Sequence, residues 1–236
     1  MAGMTRESSQ TYKCKYCDKG FQKEKTLLAH SCEQKRRYLQ KDETGVQWGL
    51  RAYLRFYEFT QGSTKLKTYD DFASSPYYLA FVKYGRYAVS IRCINFTSFT
   101  EWLLKNSKKL DYWCKDSLYE EWMKDYIKKE NPQDALERGI KEMSEYAETH
   151  PELKNGFRDY FKYANANRIC QHIISGRISP WVMFNCDTGI EFLERLDEQQ
   201  VAMIMPYISP EYWQKKFSEY DSDTAWVKQV LSQARL

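Results

Sequence analysis

The stretch YKCKYCDKGFQKEKTLLAHSC, residues 12–32, decides how the N-terminal part of this chain can fold. Cys14 and Cys17 form a C-x2-C pair, and twelve residues separate Cys17 from His30. Cys32 follows two positions later. A segment of about 20 residues buries too little apolar surface to offset the chain entropy lost on folding. Metal binding can supply the missing free energy, on the order of 10 kcal/mol, and thiolates with an imidazole favour zinc.

This stretch resembles the two-Cys, two-His zinc-finger family. The match consists of six positions: Tyr12, Cys14, Cys17, Phe21, Leu27 and His30. The resemblance implies a hairpin followed by a helix that starts near Lys23, with Phe21 and Leu27 as the two core residues. It also implies one zinc ion, held in part by Cys14, Cys17 and His30.

The fourth ligand departs from the family pattern. The family places its second histidine three to five residues after the first, so that both lie on one helical face. Here Cys32 lies two residues after His30. Residues i and i+2 of a helix point about 200° apart, so the helix must end or distort at His30 if Cys32 is to reach the metal. Cys32 is the predicted ligand; Glu33, with better helical spacing but a harder donor atom, and water are the alternatives.

The rest of the chain predicts helices. From about Thr44 onward, apolar residues recur at three- and four-residue intervals. Ser-Pro pairs at 75–76, 179–180 and 209–210 are typical of capped helix starts. Only AVSIRCI, residues 88–94, alternates as a strand would. The predicted fold class is mainly α, with a disordered tail at 1–11, a ββα zinc finger at 12–33, a basic linker at 34–43 and an all-helical domain at 44–236.

Composition narrows the classes of function. Hydrophobic residues make up 42% of the 236 residues and aromatic residues 16%, which excludes a disordered chain. No stretch approaches the roughly 18 apolar residues that span a bilayer, and the seven cysteines fit reduced thiols. We therefore expect an intracellular protein, cytoplasmic or nuclear, or in the host cytoplasm if viral.

No phosphate-binding loop or serine–histidine motif is present, and Cys170 with His172 fits no ligand spacing, so we expect no catalysis and no small-molecule substrate.

Positive charge is concentrated near the N-terminus. Residues 1–41 contain ten Lys and Arg against four Asp and Glu, whereas the remaining 195 residues contain 26 against 28. This asymmetry favours a polyanionic partner. One finger covers about three base pairs, too few to select a genomic site, so the sequence predicts contacts to the phosphates of DNA or RNA. The predicted phosphate-binding residues are Lys13, Lys15, Lys19, Lys23, Lys25, Lys35, Arg36 and Arg37.

Other interpretations stay open. The finger could dock a protein complex through Tyr16, Leu28 and its helix surface, or it could be purely structural.

KYGRY at 83–87 and FRDYFKY at 157–163 interleave aromatic and basic residues, which is typical of single-strand stacking surfaces. A lone finger on a Lys- and Tyr-rich helical body, with SPYYLAFVKYG at 75–85 and ISPWVMF at 178–184, also resembles the small accessory proteins of large tailed bacteriophages.

Overall fold

The computed structural model describes residues 12–62 and 66–236, and it confirms a mainly α chain with a small N-terminal hairpin. The chain forms two compact units, which divide between Cys114 and Lys115. The predicted tail at 1–11 lies outside the described residues, and the other predicted domain boundaries stay predictions. The first unit contains, in chain order, β1 (Tyr12–Lys13), β2 (Gly20–Phe21), α1 (Glu24–Ala29), α2 (Glu33–Leu39), α3 (Thr44–Gln61), α4 (Tyr69–Ser74), α5 (Tyr78–Ser90), α6 (Phe96–Lys105) and a 3-10 turn at Leu110–Tyr112.

The hairpin has the order that the family resemblance implies. β1 pairs antiparallel with β2, with Tyr12 opposite Phe21 and Lys13 opposite Gly20. The turn between them is tight, because the amide of Asp18 donates to the carbonyl of Cys14 at 2.9 Å. The helix α1 then begins directly after its N-cap residue, Lys23, where the sequence predicts a helix start.

Glycines bring α3 and α5 into close contact. A Cβ atom on Gly85 would lie 2.1 Å from the carbonyl oxygen of Gly45 and 2.4 Å from the amide nitrogen of Gly49. The sequence suggests a helix break at Gly85, but α5 continues through this position. Gly85 serves the packing of two helices, since only a residue without a side chain fits there.

Two local predictions are wrong. Residues 88–94 do not form a strand, because residues 88–90 continue α5 and the amide of Cys93 closes the helix end by donating to the carbonyl of Ala88 at 2.9 Å. The pattern Ser98-x-x-Glu101 predicts a capping box, but the cap of α6 is Asn95, whose side chain accepts a hydrogen bond from the amide of Ser98 at 3.0 Å. Both errors arise because a short pattern cannot show where the neighbouring helix ends.

The second unit is helical throughout. Ser179 caps the helix that begins at Pro180, as its Ser-Pro pair predicts, and the helix at the pair 209–210 begins at Pro210 without a side-chain cap. Asn131 caps the helix that begins at Pro132. Trp181 and Trp213 meet edge to face in its core, with ring centroids 6.0 Å apart. Its elements are α7 (Asp116–Tyr126), α8 (Pro132–Glu148), a 3-10 turn at Gly156–Asp159, α9 (Tyr160–Tyr163), α10 (Ala166–Ile174), α11 (Pro180–Met183), α12 (Asp187–Leu193), α13 (Glu198–Ile208), α14 (Pro210–Glu219) and α15 (Asp221–Ala234).

Candidate metal centre

Three cysteines and one histidine of the N-terminal stretch converge on one point. The ligand atoms of Cys14, Cys17, His30 and Cys32 all lie within 4.8 Å of one another. The sulfur atoms of Cys14 and Cys32 are 4.0 Å apart, and the sulfur of Cys17 lies 3.3 Å from Nε2 of His30. Within the described part of the chain, this is the one such group with a geometry that could hold a metal ion.

The backbone explains how Cys32 reaches the cluster. The helix α1 ends at Ala29, and His30 takes an extended conformation with φ −71° and ψ 123°. Cys32 then becomes the N-cap of α2, with its sulfur accepting a hydrogen bond from the amide of Lys35 at 3.3 Å. The predicted helix end at His30 is confirmed. Glu33, the alternative ligand, instead forms an ion pair with Arg37.

Two of the six separations between ligand atoms match a single tetrahedral ion. With metal–sulfur bonds of about 2.3 Å and a metal–nitrogen bond of about 2.0 Å, a tetrahedron places two sulfurs roughly 3.8 Å apart and a sulfur and a nitrogen roughly 3.5 Å apart. The Cys14–Cys32 and Cys17–His30 separations of 4.0 Å and 3.3 Å lie close to those values. Three sulfurs and one imidazole are soft donors, of the kind that suits zinc.

The local electrostatics favour a cation at the centre. A backbone hydrogen bond from Tyr16 lowers the pKa of Cys14, and this outweighs the burial of the thiol. The pKa of Cys17 is raised, since the backbone hydrogen bond from Lys19 is outweighed by burial and by the sulfurs of Cys32 and Cys14. Crowded sulfurs therefore resist carrying several negative charges together, and a divalent cation removes that repulsion.

Arg37 ties the end of this segment to the helices that follow. Its guanidinium donates to the carbonyl of Ala73 at 2.5 Å and lies 4.4 Å from the ring centroid of Tyr78. The hydroxyl of Tyr69 donates to the carbonyl of Arg37 at 2.5 Å. The side chain of Arg37 is only 15% exposed, and it also pairs with Glu33. Sequence reasoning missed this role, because three of these partners lie far along the chain.

The other predicted phosphate-binding residues surround the cluster. Lys35 is half-buried, and its Nζ donates to the carbonyl of His30 at 3.1 Å. The remaining six side chains are exposed, and none forms an ion pair with a carboxylate in residues 12–62 or 66–236. These six are Lys13, Lys15, Lys19, Lys23, Lys25 and Arg36. Their contact with nucleic acid stays a prediction.

His172 belongs to a buried polar network that the sequence does not reveal. Its Nδ1 lies 2.7 Å from the hydroxyl of Tyr160, and its Nε2 lies 3.6 Å from Oε1 of Glu142. All three side chains are buried, as is Cys170. The network spans α8, α9 and α10, so only the folded structure brings its members together.

The two stretches suggested for base stacking contain six aromatic rings, and three of these lie in the core. Tyr84, Tyr160 and Phe161 are fully buried. The ring of Tyr84 contacts Trp113 with centroids 5.0 Å apart, and its hydroxyl lies 2.9 Å from that of Thr100. These rings stabilise the helical units and cannot stack on a ligand.

Neither a protein-family model, nor a curated protein, nor a solved structure matches this chain. The resemblance of residues 12–32 to a zinc finger is therefore supported by the geometry of the cluster alone. The resemblance of the chain to bacteriophage accessory proteins gains no support. In the ranges 12–62 and 66–236, no helix is both long and apolar enough to cross a membrane.

Proposed function

We propose that residues 12–41 form a zinc-stabilised module that anchors a non-catalytic accessory protein to the phosphate backbone of DNA or RNA. One zinc ion is held by Cys14, Cys17, His30 and Cys32. The observation that carries the proposal is that this cluster fixes a short segment bearing six exposed basic side chains without carboxylate partners in the described structure.

The charge of the segment supports this function. Residues 12–41 contain nine Lys and Arg against three Asp and Glu. Each phosphate that such a side chain neutralises releases condensed counterions, so binding gains free energy without reading sequence. Because the metal takes the place of a hydrophobic core, the module can keep six of its nine Lys and Arg side chains exposed.

The test is a titration of fluorescent duplex and single-stranded oligonucleotides between about 50 mM and 200 mM salt. The wild-type protein should bind both, with an affinity that falls as salt rises. Replacement of Lys13, Lys15 and Arg36 by glutamate should abolish most binding. A matched control replaces three exposed lysines elsewhere, Lys109, Lys154 and Lys228, by glutamate and should bind as the wild type does. Equal losses in both variants would indicate non-specific charge attraction and contradict the proposal.

A second function, docking of a protein complex, is favoured by one observation. Leu28 is 72% exposed, and it borders a hollow of about 300 Å³ whose lining includes Tyr16 and Leu27. Apolar surface that is continuous over several residues, unlike a single exposed leucine, is typical of a protein contact. Leu28→Ser, which adds no charge, would leave nucleic-acid affinity nearly unchanged and abolish association with a protein partner; a large loss of nucleic-acid affinity would argue against this second function.

A further inference from the structure

Two tyrosine rings form an accessible aromatic pair beside the metal cluster. The centroids of Tyr16 and Tyr38 are 5.2 Å apart, and their planes are tilted by 48°. Tyr38 is 40% exposed, and Tyr16 is partly exposed. Both rings line a hollow of about 440 Å³, a size within the usual range of ligand sites of about 300–1,000 Å³. A flat ring system stacked on one tyrosine would meet the other at its edge.

An ammonium group lies over each ring, so a base that stacks on that face would displace the ammonium group toward its own phosphates. Nζ of Lys15 is 5.0 Å from the ring centroid of Tyr16, and Nζ of Lys41 is 4.8 Å from that of Tyr38. Neither ammonium group forms an ion pair within the described residues. An anion attached to a stacked ring would therefore find cations within reach.

The polar groups of the hollow suit a base better than a bare phosphate. Gln34 is exposed and lines the hollow, and its amide can both donate and accept hydrogen bonds. Asp70 and Ser74 line the other side. A carboxylate such as Asp70 repels phosphate but accepts hydrogen bonds from exocyclic amino groups. Lys15 also lines this hollow, so a base seated in it would have a cation beside it for its phosphate.

From these observations we infer that the module binds single-stranded nucleic acid, with one unpaired base seated in the Tyr16–Tyr38 hollow. This inference rests on the proposed function and restricts the proposed ligand from DNA or RNA in general to single strands. Base stacking on aromatic side chains tolerates every base, so the site would select unpaired strands, and Asp70 would add only a preference for bases with an exocyclic amino group. A paired base cannot enter the hollow, because it is held in the duplex stack.

The experiment compares four probes: single-stranded DNA, single-stranded RNA, a duplex, and an abasic single strand with the same number of phosphates. Tyr38→Leu should weaken binding of the two base-bearing single strands by about 5- to 100-fold. It should leave binding of the duplex and the abasic strand unchanged. Tyr38→Phe is the matched control, which keeps the ring and should keep the affinity. The ratio between the DNA and RNA arms identifies which strand the site prefers.

Several outcomes separate this inference from the proposed function. If the wild-type protein binds in a salt-dependent way but Tyr38→Leu changes no affinity, the stacking site is refuted and the anchoring function stands. If the wild type binds none of the probes, both are refuted. If polyglutamate of equal charge displaces a base-bearing strand as effectively as it displaces the abasic strand, the base adds no affinity and the inference is wrong.

Zinc content checks that the variants fold. Tyr38→Leu should retain one equivalent of zinc, because Tyr38 lies outside the cluster. If that variant loses the metal, Gln34→Ala provides the same test, since Gln34 is exposed and lines the same hollow. It should reduce the preference for base-bearing over abasic strands several-fold, and an unchanged preference would overturn the inference.

Discussion

The sulfur of Cys32 accepts a hydrogen bond from the backbone amide of Lys35 at 3.3 Å, so the fourth member of the cluster is also the N-cap of α2. A side chain at the N-cap position satisfies an amide group that the helix itself leaves without a partner. The same atom can thus complete the metal site and fix the direction in which α2 leaves it. Metal binding and the orientation of α2 are therefore coupled.

Replacement of Cys32 tests which residue completes the site. Cys32→Ser should lower zinc affinity by at least about 100-fold. Loss of a direct ligand weakens metal binding at least as much as loss of a residue that only hydrogen-bonds to a ligand. Glu33→Gln is the control and should keep full affinity, because Glu33 pairs with Arg37. Competition with a chromophoric chelator measures both. One equivalent of zinc at full affinity in Cys32→Ser would remove Cys32 from the site.

Removal of the metal should unfold the N-terminal stretch and little else. The helices α1 and α2 contain only six and seven residues, so chelation should reduce helical circular dichroism slightly. The stretch has few apolar contacts of its own, among them that of Phe21 with His30 at 4.8 Å between ring centroids. Limited proteolysis should cut within 12–43 after chelation and spare the helices beyond. Cleavage throughout the chain would contradict this prediction.

The sequence is sufficient to predict the cluster because its geometry is local. Four ligand atoms within about twenty residues can meet in few ways, and the spacing from His30 to Cys32 requires the helix to end between them. The same reasoning finds most helices, since their apolar periodicity is also local. Whether the basic side chains bind nucleic acid depends on the partner as well as on this chain. The spacing of residues within the chain therefore cannot predict it.

What the sequence cannot predict depends on contacts between distant residues. The Lys35–Arg37 run reads as one basic cluster, yet Arg36 is exposed while Arg37 reaches the carbonyl of Ala73, 36 positions away. A glycine inside a helical pattern suggests a break because of its low helix propensity. At Gly85 the packing against Gly45 and Gly49 overrides that propensity.

Two neighbouring arginines provide a direct comparison of structural and surface roles. Arg37→Ala should lower the free energy of unfolding by about 1–3 kcal/mol, because it removes a charged hydrogen bond and a contact with the ring of Tyr78. Arg36→Ala should change stability by less than about 0.5 kcal/mol, since Arg36 is exposed. Denaturant unfolding of both variants measures the difference. Equal stabilities would show that Arg37 contributes nothing to the junction.

Gly85→Ala tests the close packing of α3 against α5. The added Cβ would approach backbone atoms of Gly45 and Gly49, which cannot move aside as a flexible side chain can. We expect a loss of about 3 kcal/mol, even though alanine raises helix propensity by about 1 kcal/mol. Lys83→Ala, at an exposed position of the same helix, should be nearly neutral. Thermal unfolding should show a lower midpoint for Gly85→Ala alone. A stabilised Gly85→Ala protein would mean that the two helices do not cross at these glycines, since propensity alone would then decide the result.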